Sequence, residues 1–116
     1  MKTRRDDVVL VLFPNSDLRT AKRRPALVVQ RDDLASALDQ TIVAMISSNL
    51  ARQGHPSRTF IPINSAAGRA AGIRLDSVVM TDNLATLLES EIDSKVGRLL
   101  DMTEIAAALK QTLGLD

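Results

Sequence analysis

The sequence predicts a mainly β fold with α structure at its end: a small, strongly bent antiparallel sheet or barrel, capped by a C-terminal helix. Two observations carry this. The apolar residues fall in short, β-branched runs, each stopped by proline, glycine, asparagine or aspartate. Only the end of the chain shows a clear helical stripe, Ile105, Leu109 and Leu113. With 116 residues and no internal repeat or low-complexity stretch, one domain spanning 1–116 is expected.

The elements follow in order. Val8–Pro14, "VVLVLFP", reads as a buried strand ended by its proline. "NSDLRTAKRR" is polar, opens with the turn formers Asn15, Ser16 and Asp17, and reads as a loop of about ten residues, long enough to suggest function. Pro25 biases Arg24 toward an extended backbone and opens a second strand, "ALVVQ". Asp32 or Asp33 can cap a short helix, "LASALD", ahead of a third strand, "TIVAMIS". "SNLARQGHPS" is loop, "RTFIPI" alternates as a half-buried strand, and the small residues of "NSAAGRAAG" read as loop. "DSVVM" is a strand. "NLATLLES" has helical propensity but only about two turns of length. "SKVGRLL" is a short last strand, with Gly97 marking a bulge or a close backbone approach. Asp101 and Glu104 have the spacing of a capping box before the helix, and Gly114 suits its C-cap.

Composition removes several chemistries. The chain has no cysteine and one histidine, His55, which excludes disulfides, thiolate nucleophiles and a multi-histidine zinc site. No cofactor or metal is expected. No apolar run approaches the roughly 20 residues of a membrane span, so a cytoplasmic protein without membrane contact is expected. Phe13 and Phe60 are the only aromatics, which limits base stacking. A net charge of +1 hides an asymmetry: residues 1–75 hold 12 of 15 Lys and Arg against 6 of 14 Asp and Glu. That basic part suits an anionic ligand; the acidic remainder, with Glu89 and Glu91, is not expected to bind it, and its helix suits support of the barrel or a dimer.

The residues able to do chemistry are few. Arg24, held extended before Pro25, presents a planar fork suited to phosphate; the competing reading is a solvated gatekeeper beside a sticky strand. Ser47 ends the third strand, where a hydroxyl either satisfies backbone or helps hold a phosphate. Arg19, Lys22 and Arg23 either bind flanking phosphates or are simply solvated. His55 reads as incidental.

In order from about Asp7 to Leu113, "DDVVLVLFPNSD", "KRRPALVVQ", "VAMISSN", "GIRLDSVVMTDNLATL" and "KVGRLLDMTEI" resemble the MazF/PemK family of toxin endoribonucleases. The resemblance implies an SH3-like antiparallel barrel with a C-terminal helix, a homodimer, and metal-independent cleavage of single-stranded RNA at preferred sequences. It implies attack of a ribose 2′-OH on the neighbouring phosphate, leaving a 2′,3′-cyclic phosphate. It places the catalytic pair on Arg24 and Ser47, with Arg24 favoured as a charge clamp because a guanidinium stays protonated. Arg19, Lys22, Arg23, Ser48, Asn49, Arg69, Arg74, Asp76 and Ser77 are then the RNA-binding candidates. It also implies an antitoxin that occupies the RNA groove, and an extended rather than helical "NLATLLES". Alternatives are a CcdB-like module that poisons a protein target, and a catalytically degenerate RNA binder. The sequence departs from the family in three places: Asp6 stands where glycine is usual, Ser47 where threonine is common, and no aromatic follows Pro14.

Overall fold

A computed structural model describes residues 2–14 and 17–116; the turn formers Asn15 and Ser16 lie outside the described residues. Six strands form one antiparallel sheet: β1 (Asp7–Pro14), β2 (Ala21–Val28), β3 (Gln40–Ser47), β4 (Arg58–Ile61), β5 (Ser77–Leu88) and β6 (Ile92–Arg98). Their order in space is β4-β5-β3-β2-β1-β6. Among the described residues two α-helices complete the fold, α1 (Ala66–Ala71) and α2 (Thr103–Leu113). No helix among the described residues is long and apolar enough to cross a membrane.

Period-two alternation divides the buried side chains between two clusters. Val8, Leu27, Ala44, Ile46 and Val79 meet Ile105 of α2 and Ala71 of α1. Val9, Val11, Ala26, Val28, Val43 and Met45 meet Ile92 in the second cluster. β5 serves both, since Leu84 packs on the first and Ala85 and Leu87 on the second. This is why "NLATLLES" is extended through Leu88: two-sided burial at alternate residues outweighs weak helical propensity. The register slips between Ala44↔Leu84 and Met45↔Met80, so β5 bulges at Thr81–Asn83 and the sheet bends. Buried Thr81 holds that bend by donating its hydroxyl to the Ser57 carbonyl at 2.6 Å.

The sheet is not closed by hydrogen bonds. Its edge strands, β4 and β6, are bridged by α1, which starts just after β4 and ends against β6. Gly72 caps α1 in the left-handed region (φ 73). A Cβ at Gly72 would sit 2.2 Å from the Val96 carbonyl oxygen, and one at Gly97 would sit 2.4 Å from the Ala70 oxygen. Both readings of Gly97 hold: Val8 pairs with Gly97 but Val9 with Lys95, leaving Val96 as the extra residue of a bulge.

Four sequence expectations need correction. The "NSAAGRAAG" segment contains α1, because its alanines are the best helix formers and the Ser65 hydroxyl caps the Gly68 N–H at 2.9 Å. "LASALD" is not helical. Six residues cannot sustain a helix without an apolar face to bury, and Leu34 and Leu38 remain exposed. Asp32 instead accepts the Arg5 N–H at 2.8 Å. The long loop is shorter than expected, because β2 begins at Ala21 and takes Lys22, Arg23 and Arg24 into the sheet. Asp101 caps Thr103 N–H at 3.0 Å, one residue earlier than a capping box requires.

Asp6, where the resemblance leads one to expect glycine, has φ 78. Its strain is offset locally: Asp6 N–H donates to the Val28 carbonyl at 3.0 Å, and its carboxylate takes both prongs of the Arg98 guanidinium at 2.9 Å. Glu89 is buried and accepts hydrogen bonds from the Thr3 backbone and hydroxyl, tying down the N-terminal arm. The charge halves also interlace. Arg23–Asp93, Arg58–Asp82, Lys95–Asp7 and Arg98–Asp6 each join the basic part to the acidic part.

Three carboxylates are held below their ordinary range. Asp17 is lowered by the Thr20 N–H, then by the Arg19 N–H and the Thr20 hydroxyl. Asp82 is lowered by the Arg58 hydrogen bond and Asp101 by Thr103. A folded-state value below the unfolded one gives stability that is present above the unfolded value and lost as pH falls through the folded one. The urea midpoint should therefore stay level from about pH 5 to about pH 8 and decline below about pH 4. A midpoint that rises on acidification would contradict these contacts.

Candidate nucleic-acid interface

Strand direction gathers most candidate residues at one end of the sheet. β2 starts there, β3 ends there, and β5 starts there. Ala26 pairs with Met45; carrying that register two residues further sets Arg24 opposite Ser47. Alternation puts Arg24 on the face of Ala26 and Val28, and Ser47 on the face of Met45 and Val43, which is the same face of the sheet. The β2/β3 ladder stops at Ala26, so Pro25 lies where β2 is paired on the β1 side alone and its missing N–H is tolerated.

Beyond that point the β1–β2 hairpin runs on as a two-stranded ribbon. β1 and β2 pair as far as Pro14 and Ala21, whereas β6 follows β1 only to Val11. Arg24 is half-buried at the ribbon's root, and exposed Lys22 lies further out on the same face. Arg23 lies on the other face, its Nε 2.6 Å from Asp93 Oδ2. Exposed Arg19 sits in the turn, which Asp17 fixes by accepting the Arg19 and Thr20 N–H groups at 2.9 and 3.0 Å.

Ser47 is buried, and its Oγ accepts the Asn49 N–H at 3.1 Å. With that lone pair engaged, the hydroxyl proton remains to be donated. Ser48 and Asn49 follow on the surface, and the Asn49 side chain caps the turn Leu50–Arg52 through the Ala51 N–H. Ser47 pairs with Val78, so Ser77 and Asp76 lie nearby in the chain. Both hold loops: Asp76 accepts the Ile63 N–H at 2.8 Å, and the Ser77 hydroxyl donates to the Leu75 carbonyl at 2.8 Å. Arg74 is exposed in the segment leading to β5. Arg69 is carried elsewhere, on the last turn of α1, which packs where Gly97 pairs with the start of β1. His55 serves its own loop: Nδ1 accepts the Ser57 N–H at 3.1 Å and lies 2.6 Å from the Ser57 hydroxyl.

Sequence reasoning missed Asp93 and gave Asp17 no role beyond the turn. Asp17 had a local signal, the Asp-x-x-Thr spacing of a side-chain-closed turn. Asp93 had none, because it reaches Arg23 across the intervening strand.

A bent sheet with a C-terminal helix, with an arginine and a hydroxyl on one face beyond the last β2/β3 pair and a cationic ribbon beside them, defines a small β protein of barrel-like fold. Residues 4–113 match the family described as the PemK-like, MazF-like toxins of type II toxin–antitoxin systems, and the chain belongs to that family. It is 35% identical over 107 residues, 90% of each chain, to the protein named endoribonuclease MazF6 in Mycobacterium tuberculosis. An endoribonuclease solved in complex with its cognate antitoxin from a Mycobacterial species superposes with a TM-score of 0.75 at 19% identity, covering 99% of this chain and 98% of that one. The Mycobacterium tuberculosis toxin MazF-mt6 superposes at 0.69 with 22% identity, over 93% of this chain and 98% of that one. These superpositions show the shared fold.

Proposed function

We propose that residues 1–116 act as one toxin domain, a sequence-preferring endoribonuclease that cuts single-stranded RNA between the Arg24 and Ser47 side chains. The observation that supports this reading is the alternation that puts both residues on the face of Ala26 and Met45, two residues beyond the last β2/β3 pair, within an established toxin family. The relative's name, endoribonuclease, supports it. The substrate's 2′-oxygen attacks the adjacent phosphorus, the bond to the 5′-oxygen breaks, and one proton leaves the first oxygen while another reaches the second. The products are a 2′,3′-cyclic phosphate and a 5′-hydroxyl. Arg24 neutralises the charge that builds on the phosphoryl oxygens, and the Ser47 hydroxyl donates to one of them. Lys22 and Arg19 hold flanking phosphates, with Ser48 and Asn49 on the opposite rim.

The protein works as a homodimer in the cytoplasm, where its RNA substrate is found, and a flexible acidic antitoxin segment competes for the same surface. A neighbouring structure holds its own cognate antitoxin, which supports that partner. The test is incubation of the purified protein with a long single-stranded RNA in excess chelator, followed by mapping of the new ends. Discrete cuts with cyclic phosphate termini are expected. Intact RNA, or cleavage that the chelator stops, would contradict the reading.

A further inference from the structure

Arg23 and Asp93 make the shortest ion pair among the described residues, and both side chains are well exposed, at 61% and 44%. A pair so open to solvent adds little to folding. Its main effect is on the charge of the ribbon. Arg23 stands between Lys22 and Arg24 in sequence, and its forked guanidinium fits a phosphate as well as it fits a carboxylate. Alternation sets it on the face opposite Arg24, so an RNA strand leaving the Arg24–Ser47 cleft meets it only on crossing the ribbon.

We propose that Asp93 is a selectivity residue that masks Arg23. Its carboxylate occupies the position a flanking phosphate would take and removes one cationic contact from the surface offered to any polyanion. This rests on the reading of single-stranded RNA as the ligand. Non-specific strands, which bind by phosphate contacts alone, lose that contact in full. A strand also held by Arg24 and Ser47 depends on it less.

The test is equilibrium binding of a 2′-O-methyl RNA, which cannot be cut, between about 50 mM and about 300 mM salt. Single strands contribute a log–log salt slope of about −0.7 for each phosphate neutralised. Asp93→Asn should bind about three- to tenfold more tightly at the low-salt end and steepen the slope by about 0.7. Arg23→Ala should change the wild type little, and adding it to Asp93→Asn should remove the gain. An unchanged slope in Asp93→Asn, or a gain that survives loss of Arg23, would overturn the mask while leaving RNA as the ligand. Failure of the wild type to bind at any salt would overturn the RNA reading and the mask with it.

Discussion

Arg24→Ala should lower the cleavage rate by about 10²–10³, the scale of losing one fixed donor to a developing oxyanion, while leaving the fold intact. Arg24 packs at the ribbon's root, where the β2/β3 ladder has already stopped, so truncation removes no described backbone pairing. Arg24→Lys should recover only part of the loss, because a point charge on a flexible stem cannot present two parallel donors. Ser47 gives the companion result. Ser47→Ala removes the acceptor of the Asn49 N–H as well as the hydroxyl proton, whereas Ser47→Thr keeps both and suits a strand end. Single-turnover kinetics with melting curves for all four variants separate chemistry from folding. Full activity in Arg24→Ala would remove Arg24 from the mechanism.

Gly97→Ala should destabilise the protein by about 3 kcal/mol, at the upper end of overpacking effects, and lower the melting temperature by roughly 10 °C. The added Cβ would meet the Ala70 oxygen and the Ala71 carbonyl, both at 2.4 Å, and these are backbone atoms with no rotamer to move. Either α1 lifts from β6 or the bulge at Val96 is lost, and each reopens the gap between the sheet's edges. Gly54→Ala is the control. Its backbone, at φ 88, is the less ordinary of the two, but nothing lies within 4 Å of the new carbon, so about 1 kcal/mol is expected. Equal losses at the two positions would mean that α1 does not bridge the edges.

Much of this fold was legible in sequence because its strands report themselves locally. "VVLVLFP" and "TIVAMIS" needed no partner to be read as buried strands. The C-terminal helix was equally plain from its apolar spacing and terminal glycine, although of that stripe Ile105 is buried, Leu109 partly buried and Leu113 exposed. The errors fell where short segments depend on distant contacts. α1 exists because its end has β6 to rest on, and residues 34–39 are irregular because nothing covers Leu34 and Leu38. Leu84–Leu88 carried opposing signals, and two-sided burial decided between them.

The candidate site divides the same way. Arg24 and Ser47 were identifiable through the resemblance, and the register then gave them a shared face. The contrast between Arg23 and Arg24 was invisible until β2 was known to begin at Ala21, because only a strand sends neighbours to opposite faces. Sequence charge counts overstated the basic surface, since Asp93 and Asp82 of the acidic part are brought against Arg23 and Arg58. The protein-poison alternative gains nothing from the comparison, whose curated relatives are named endoribonucleases.

The most direct test of the central claim concerns the nucleophile. Once a preferred cut site has been mapped, an oligonucleotide carrying a single 2′-deoxy sugar immediately 5′ to the scissile phosphate removes the attacking oxygen and leaves every other contact in place. That substrate should bind with unchanged affinity and remain uncut in the presence of chelator, while its all-ribose twin yields a cyclic phosphate and a 5′-hydroxyl. Cleavage of the 2′-deoxy substrate at the same bond would show that water or a protein group is the nucleophile, and would contradict the mechanism assigned to Arg24 and Ser47.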